Sequence, residues 1–226
     1  MSVLETVTGK RPKLIGTDLD GTIVAHYGFI SERTKIALSQ AHQAGIHIYF
    51  VTGRPIRWMV EIKNNFDFGT GICGNGAMLY DFINEKVLEE WLFSVENQKE
   101  AVKRLREVIP PVSFATEIGE NFHREKKYVP RWDIGADDPG VEKIEEAITG
   151  PALKLLARCS DGEYTSDQML ELASAAIGDI ATVTHSNSTD SLLEISAFGV
   201  SKGATLAKIA ARHGLSAQDC VTFGDN

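Results

Sequence analysis

Cysteine is scarce in this chain, and the few cysteines form no pattern. Cys73, Cys159 and Cys220 lie far apart and are odd in number. They match no zinc-ligand spacing and indicate no disulfide framework. The sequence therefore predicts a protein of a reducing compartment, and we expect it in the cytoplasm.

Long apolar runs are also lacking. No stretch of the 226 residues approaches the roughly 20 consecutive apolar residues that a membrane-spanning helix needs. The first residues contain no apolar segment typical of a secretory signal. We therefore expect no membrane partner.

Positive charge is the third deficit. The chain has 23 Lys and Arg residues against 31 Asp and Glu residues, a formal net charge of −8, and no basic run. Such a chain is poorly suited to the phosphate backbone of nucleic acid, so we expect no nucleic-acid partner. A small phosphate ester can still bind if a metal ion and a few local cations supply positive charge. The sequence leaves the oligomeric state open.

What the chain does contain is an alternation of strand and helix patterns. Apolar strands are predicted at 13–19 and 46–51, and each is followed by a helix, at 31–45 and from 55 to about 64. A helix at 202–213 and a strand at 220–223 resume this pattern near the end. Strand–helix–strand units of this length favour an α/β fold with a parallel sheet.

The middle of the chain has a different texture and predicts an inserted α/β domain. Strands are predicted at 86–93, 152–158, 181–185 and 191–196, and helices at 96–108, 139–148 and 166–177. A polar stretch that contains Trp132, Asp137 and Asp138 follows Pro110 and Pro111. We therefore divide the chain into a core of residues 1–82 and 197–226 and an inserted domain of residues 83–196, a plausible domain size.

Two carboxylates follow the first strand. Asp18 and Asp20 are two residues apart, so they project from one face at the carboxyl end of that strand. This edge is where ligands bind in open α/β sheets. Adjacent carboxylates repel each other unless a cation compensates, and a hard divalent ion does so well. The alternative is that the pair only caps a turn before Gly21.

Weaker signals lie at the ends of the other predicted core elements. Thr52 and Gly53 follow the second strand and offer a hydroxyl and backbone amides to a phosphate, although Thr-Gly is more often only a turn. Lys202 starts a helix, where the helix dipole disfavours a cation, so an anionic partner is one explanation and a solvated lysine the other. Asp225 adds a third acid after the last strand.

Taken together, these segments resemble the four motifs of the haloacid dehalogenase superfamily, in order. The motifs are Asp18-Leu19-Asp20-Gly21-Thr22, Thr52-Gly53-Arg54-Pro55, Ser201-Lys202-Gly203 and Gly224-Asp225-Asn226. The long segment between the second and third motifs is similar to that of the Cof-like sugar-phosphatase branch, and Asn75-Gly76-Ala77 resembles a segment of that branch. The resemblance implies a Rossmann-like parallel-sheet core with a large inserted α/β cap.

The resemblance also implies roles for these residues in a phosphatase of small metabolites, such as sugar phosphates. Asp18 would be the nucleophile that forms an aspartyl-phosphate, and Asp20 would be the acid and then the base. Thr52 and Gly53 would hold the phosphoryl oxygens, and Lys202 would neutralise charge.

Further residues complete the implied site. The metal would be Mg²⁺, bound by the carboxylates of Asp18 and Asp225 and by the backbone carbonyl of Asp20. The side chains expected near the substrate are Arg54, Asn75 and Asn226.

One departure and two alternatives stay open. The family normally continues past Gly224-Asp225-Asn226 to a second acid and further elements, so we expect this chain to be a portion of a longer protein. The same residues would also serve a phosphomutase, which would isomerise a phosphate ester without releasing phosphate. A phosphate-binding sensor with a weakened site is the non-enzymatic alternative.

Overall fold

Two sheets organise the chain in a computed structural model that describes residues 11–25, 28–130, 139–160, 162–185 and 187–225. The first sheet has six strands in the order β11-β1-β2-β3-β4-β5. Strands β11, β1, β2 and β3 run parallel, whereas β4 and β5 add to one edge as antiparallel strands. The bounds of these strands are β1 Leu14–Thr17, β2 His47–Val51, β3 Thr70–Cys73, β4 Met78–Asp81, β5 Lys86–Glu90 and β11 Cys220–Phe223.

The second sheet is antiparallel throughout and has five strands in the order β7-β6-β8-β10-β9. Its strands come from the part of the chain that lies between β5 and β11. Its strands are β6 Ser113–Ile118, β7 Asn121–Arg124, β8 Lys154–Arg158, β9 Ala181–Thr184 and β10 Leu192–Ala197.

In the part of the chain that the structure describes, five α-helices cover these sheets, and a side-chain cap at the start of four of them fixes where the helix begins. The hydroxyl groups of Ser31, Ser94, Thr165 and Ser201 accept a hydrogen bond from a backbone amide of the first turn. The helices are α1 Glu32–Gln43, α2 Val60–Asn65, α3 Val95–Val108, α4 Ser166–Ile177 and α5 Lys202–Arg212.

Each sheet has apolar packing of its own. Helices α3 and α4 bury Val102, Leu105 and Met169 against Phe114 and Leu155 of the second sheet. Helices α1 and α5 pack on the first sheet, where β1 is buried along its whole length. A fully buried parallel strand is largely apolar on both faces, and residues 14–16 of β1 carry no polar side chain. The predicted α/β class is confirmed.

Two local predictions differ from the structure. The helix predicted at 139–148 is wrong: Gly140 has φ +80°, Val141 forms a bridge with Glu125, and only Ile144–Glu146 makes a 3₁₀ turn. A residue in the left-handed region cannot be part of a right-handed α-helix, so the helical spacing of apolar residues does not produce a helix through Gly140. Strands β6 and β7 lie in a region for which we predicted only a polar stretch. Trp132, Asp137 and Asp138 of that stretch lie outside the described residues.

Strand β5 bears on how the chain divides. The predicted boundary places residues 86–90 in the inserted domain, but β5 pairs with β4 and belongs to the six-stranded sheet. The chain passes to the second sheet only after β5, and there Phe93 pairs with Ala152 through two backbone hydrogen bonds, one in each direction. We propose that the inserted domain begins after β5. In the described part of the chain, no helix has the length and apolar character needed to cross a membrane.

Candidate active site

Asp18 lies immediately after β1, at the carboxyl edge of the parallel strands. Its backbone amide donates to the carbonyl of Phe223, which continues the pairing of β1 with β11 by one residue. Its carboxylate Oδ1 accepts from the Leu19 amide at 2.8 Å, and Oδ2 accepts from Lys202 Nζ at 3.1 Å. The Asp18 side chain is 16% exposed. One carboxylate is thus fixed by an amide and an ammonium group while part of it stays accessible.

The side chain of Asp20 is held by Arg54. The guanidinium donates from Nη2 to Asp20 Oδ1 at 2.5 Å and from Nε to Oδ2 at 2.9 Å. It also donates from Nη1 to Glu61 Oε2 at 2.9 Å and to the Trp58 carbonyl at 3.1 Å. Burial opposes the charge of Arg54, but its hydrogen bonds to Asp20 and Glu61 raise its pKa above the ordinary value. Arg54, which we expected near the substrate, therefore engages Asp20 directly.

Asp225 approaches the same turn from the end of β11. Gly21 has φ +76°, and a Cβ atom at this position would collide with the Asp225 carboxylate. Glycine is required here because of both the backbone conformation and this close approach. Asp225 lines the same cavity as Asp18 and Asp20. Asn226, the remaining predicted residue of that motif, lies outside the described residues.

The loop after β2 is tied to the turn after β3. Thr52 accepts a hydrogen bond from the Asn75 amide at its carbonyl and from the Arg54 amide at its hydroxyl. Asn75 adopts a left-handed conformation with φ 58°, and its buried side chain lies against Gly53. Gly53 and Asn75 line the cavity described below, whereas Thr52 is fully buried and does not. The structure thus brings the loop of Thr52 and Gly53 to the cavity, but the Thr52 side chain is buried and does not line it.

Asn75 carries an orphaned donor. Within the described residues, its buried Nδ2 has no hydrogen-bond partner. A buried amide without a partner costs about 1–3 kcal/mol, so native sites usually supply one. Because Asn75 lines the cavity next to Asp18, this donor is suited to an oxygen of a bound ligand.

Helix α5 presents Lys202 in its first turn. Ser201 caps the helix, accepting from the Ala204 amide at 3.1 Å, and Thr205 donates to the Gly76 carbonyl at 2.8 Å. These two contacts fix the start of α5 against the turn that contains Asn75. The helix dipole disfavours an ammonium at this position, and the ion pair with Asp18 compensates for it.

The second sheet contributes a buried ion pair that the sequence analysis missed. Lys154 of β8 donates from Nζ to Glu194 Oε1 of β10 at 2.6 Å and to the Gly53 carbonyl at 2.9 Å. Burial favours the neutral form of both groups, but mutual attraction prevails: the pKa of Lys154 is raised and that of Glu194 is lowered. The sequence signal was weak: Lys154 begins the otherwise apolar run of residues 154–157, and Glu194 is the one charged residue of β10.

A cavity of about 870 Å³ lies between these groups. A volume in this range is typical of sites for small molecules. From the core, it is lined by the acids and cations already described, together with Trp58 and neighbouring apolar side chains. From the second sheet, it is lined by Glu117, Phe122, Tyr128, Lys154, Leu156, Arg158, Asp190, Leu192 and Glu194.

The donor set suits a hard cation. Within the described part of the chain, no cluster of three or more His, Cys, Asp or Glu side chains is placed to hold a metal ion. A set of two carboxylates and a backbone carbonyl, as predicted for Asp18, Asp225 and Asp20, would not form such a cluster. It offers only oxygen atoms, the ligands that Mg²⁺ takes, together with water.

Comparison with known proteins decides the family. The model of the haloacid dehalogenase-like hydrolases matches residues 15–226, nearly the whole chain. The chain belongs to this family. Like its Cof-like members, it is a phosphatase.

Individual relatives are distant but extensive. The 5-amino-6-(5-phospho-D-ribitylamino)uracil phosphatase of Bacillus subtilis is 22% identical over 223 residues, which cover 95% of this chain and 77% of the relative. The HMP-PP phosphatase of Klebsiella pneumoniae is 24% identical over 226 residues, with 94% and 77% covered. The structure of a superfamily phosphatase from Bacteroides thetaiotaomicron superposes with a TM-score of 0.75 at 19% identity, covering 98% of this chain and 80% of that one.

Proposed function

We propose that this phosphatase hydrolyses phosphomonoesters of small metabolites, such as sugar phosphates, through an aspartyl-phosphate on Asp18. The observation that carries the proposal is the Asp18 carboxylate, which pairs with Lys202 at 3.1 Å, is part exposed and lines the cavity. This ion pair lies at the carboxyl edge of the parallel strands, which is where ligands bind in open α/β sheets. The name of the B. subtilis relative, which refers to a phosphorylated ribitylaminouracil, supports a small metabolite as the substrate.

In the first step, an oxygen of Asp18 attacks phosphorus and the bond from phosphorus to the ester oxygen breaks. Asp20 gives its proton to that oxygen, so the substrate leaves as an alcohol. Lys202 neutralises negative charge on Asp18 and on the phosphoryl group as it transfers. Asn75 and the Gly53 amide would hold phosphoryl oxygens, and it supports this role that both residues line the cavity.

In the second step, water attacks phosphorus and the bond to Asp18 breaks, which restores the carboxylate and releases phosphate. Asp20 takes the proton from that water. Its pairing with Arg54 orients the ionised carboxylate for this proton transfer, whereas the protonated form that acts in the first step keeps only one oxygen against the guanidinium. Because Asp20 acts in both steps, the position of its carboxylate affects both.

The residues that would hold Mg²⁺ are Asp18 and Asp225, through their carboxylates, and Asp20, through its backbone carbonyl. When bound, the ion supplies positive charge next to the phosphoryl oxygens. Because the chain carries a net charge of −8, such a local cation would help the site to attract an anion.

The test is phosphate release from a panel of sugar phosphates and an aryl phosphate, with and without Mg²⁺. We expect metal-dependent release that falls to background in Asp18→Asn, because the amide cannot act as the nucleophile. Asp179→Asn is the matched control, since Asp179 is exposed and pairs with Arg104. Both variants should retain the melting temperature of the native protein within a few degrees.

Three results would contradict the proposal. Metal-dependent release that persists in Asp18→Asn would show that another group is the nucleophile. Conversion of a sugar phosphate to its isomer without free phosphate would identify a phosphomutase, and ligand binding without any turnover would favour the sensor.

A further inference from the structure

Three successive backbone carbonyls of the loop after β2, residues 52–54, are held from two different sides. The turn after β3 donates from two amides, at 3.0 Å each, to the carbonyls of Thr52 and Arg54. The carbonyl between them, that of Gly53, accepts from Lys154 Nζ of β8 at 2.9 Å. A side chain of the second sheet therefore fixes the middle of a loop that belongs to the core.

The contact with Lys154 orients one particular peptide group. The Gly53 carbonyl and the Arg54 amide belong to the same peptide group, which is planar and rigid. Its carbonyl accepts from Lys154, and its N–H donates to the Thr52 hydroxyl at 3.1 Å. On one side of this group lies the Gly53 amide, which is expected at the phosphoryl oxygens. On the other side lies the Arg54 side chain, which bonds to Asp20.

The Gly53 backbone and the pair of Lys154 and Glu194 are closely packed. A Cβ atom at Gly53 would lie 2.9 Å from Asn75 Oδ1 and 3.7 Å from Glu194 Oε1. Lys154 Nζ donates to Glu194 Oε1 at 2.6 Å, and the two side chains are only 7% and 15% exposed. The ammonium group is thus held between one carboxylate and one carbonyl, with little exposure to water.

Stability alone does not account for a buried ion pair at this place. Replacing such a pair by apolar side chains of similar volume is often neutral or stabilising, because the charges of a buried pair have lost their hydration. Two apolar residues would therefore fill the space between β8 and β10 equally well. They could not donate a hydrogen bond to the Gly53 carbonyl, and this is what Lys154 adds.

We propose that Lys154 is a positioning residue for the phosphatase reaction. It fixes the peptide group between Gly53 and Arg54, and through Arg54 it fixes the carboxylate of Asp20. Glu194 keeps the Lys154 ammonium charged and directed at the Gly53 carbonyl. This inference rests on the proposed function, because it gives Lys154 an effect on the proton that Asp20 transfers to the leaving group.

The test compares two esters that differ in their need for an acid. The nitrophenolate of 4-nitrophenyl phosphate leaves without a proton, whereas the alkoxide of 4-nitrobenzyl phosphate, an ester of nearly the same size, needs one. The double variant Lys154→Met, Glu194→Leu should lower kcat/KM for the benzyl ester by roughly 10- to 100-fold. For the phenyl ester, the loss should be roughly 2- to 10-fold, as for one weakened phosphate contact.

The ratio of kcat/KM for the phenyl ester to that for the benzyl ester is therefore the readout, and it should rise in the double variant. Both esters are measured on one preparation, so a loss of folded protein cancels in the ratio. The double variant leaves no buried charge without its partner, so its stability should stay near that of the native protein. A purely structural pair would lower both values equally and leave the ratio unchanged.

Two further variants separate positioning from packing. Arg106→Met is the matched control, because it removes an ion-pair partner of Glu125, a fully buried carboxylate of the inserted domain that does not line the cavity. It should keep the native ratio even where it lowers stability. Arg54→Ala removes the group through which Lys154 acts on Asp20, so it should raise the ratio by itself. Adding the double variant to Arg54→Ala should then change the ratio little, since residues that act in series are not additive.

A binding measurement gives a readout without turnover. Calorimetry with inorganic phosphate in the presence of Mg²⁺ should show roughly 2- to 10-fold weaker binding to the double variant and native binding to Arg106→Met. An unchanged ester ratio in a stable double variant would overturn the positioning role while leaving the phosphatase intact. If the native protein hydrolyses neither ester nor any sugar phosphate, the proposed function fails instead. Equal phosphate binding by the native protein and the double variant would in that case also overturn the role of Lys154.

Discussion

At the scale of single residues, the contact between Asp20 and Arg54 shows that the two acids of the site have different cationic partners. Asp18 is held by Lys202 and an amide, and Asp20 is held by a guanidinium that is itself anchored on Glu61. Two carboxylates two residues apart are thus given separate cationic partners. In the proposed mechanism, this separation would let Asp18 act on phosphorus and Asp20 on protons with less mutual repulsion.

Removing the guanidinium tests this division. We expect Arg54→Ala to lower kcat by roughly 10- to 100-fold, a part of the 10²–10⁴ that a positioned acid–base group contributes. Arg54→Lys should recover little, because a single ammonium cannot reproduce the two-point contact with Asp20. The measurement is steady-state kinetics over a pH series, which should show an altered acid or base limb.

Arg104→Ala is the matched control, since Arg104 pairs with Glu100 and Asp179 on the surface of α3. It should leave both kcat and the pH profile at the native values. An Arg54→Ala variant with the native profile would mean that Asp20 needs no such positioning.

At the scale of elements, the start of α5 carries both a structural cap and a functional cation. Ser201 accepts from the Ala204 amide, and the next residue, Lys202, reaches Asp18. The cap at the start of α1 is chemically the same, with Ser31 accepting from the Thr34 amide, but α1 contributes nothing to the cavity. The two serines therefore form a natural pair of probes.

We expect Ser201→Ala and Ser31→Ala each to reduce the free energy of unfolding by about 1 kcal/mol. Only Ser201→Ala should also lower kcat/KM, because fraying of the first turn displaces Lys202 from Asp18. Urea denaturation and kinetics on the same samples check both parts. An equal effect of the two variants on kcat/KM would argue against a coupling between the cap and the cation.

Strands β8 and β10 are joined to the core through the pair of Lys154 and Glu194. Lys154→Met should reduce the free energy of unfolding by about 3–5 kcal/mol, because it leaves a buried carboxylate without its cation. The double variant Lys154→Met, Glu194→Leu should recover most of that loss. Lys126→Met is the control: its pair with Glu142 is exposed, so the loss should stay below about 1 kcal/mol.

The same pair predicts a pH dependence. The pKa of Glu194 is lowered in the folded protein, so its contribution is present above the unfolded value of about 4.3 and is lost as pH falls through the folded value. The pKa of Lys154 is raised, so its contribution is present below about 10.4 and is lost as pH rises through the folded value. The stability difference between the native protein and the double variant should be level near neutral pH and change at both extremes. Denaturation from pH 3 to 11 measures it, and a flat difference would contradict the pairing.

At the scale of the whole molecule, the two sheets enclose the site. The cavity of about 870 Å³ takes side chains from both, and Lys154 links the second sheet to the Gly53 carbonyl beside the nucleophile. Such an enclosure admits a small ester and keeps a folded protein away from Asp18.

We therefore expect phosphate release from small metabolite esters and none above background from a phosphorylated protein such as casein. The measurement is free phosphate at matched concentrations of phosphoryl groups. Casein hydrolysed as fast as a small ester would show that the second sheet does not restrict access to Asp18.

The sequence by itself determined the core and the chemical motifs. Residues 14–16 carry no polar side chain on either face, which favours a buried parallel strand, and the acids that follow then emerge at the sheet's carboxyl edge. Helix α4, with its capping box at Thr165, was also predictable from local pattern, and its bounds agree with the prediction. These features depend on residues close together in the chain.

Only the tertiary structure decided which partners those residues meet. Arg54 bonds to Asp20, 34 positions away, and Lys154 reaches Gly53 across 101 positions. Trp58 of the core likewise packs against the cluster that contains Phe122 and Leu156 of the second sheet. Contacts of this kind depend on how the two sheets face each other, which no local periodicity encodes, and they are what give the cavity its charge balance and its apolar surface.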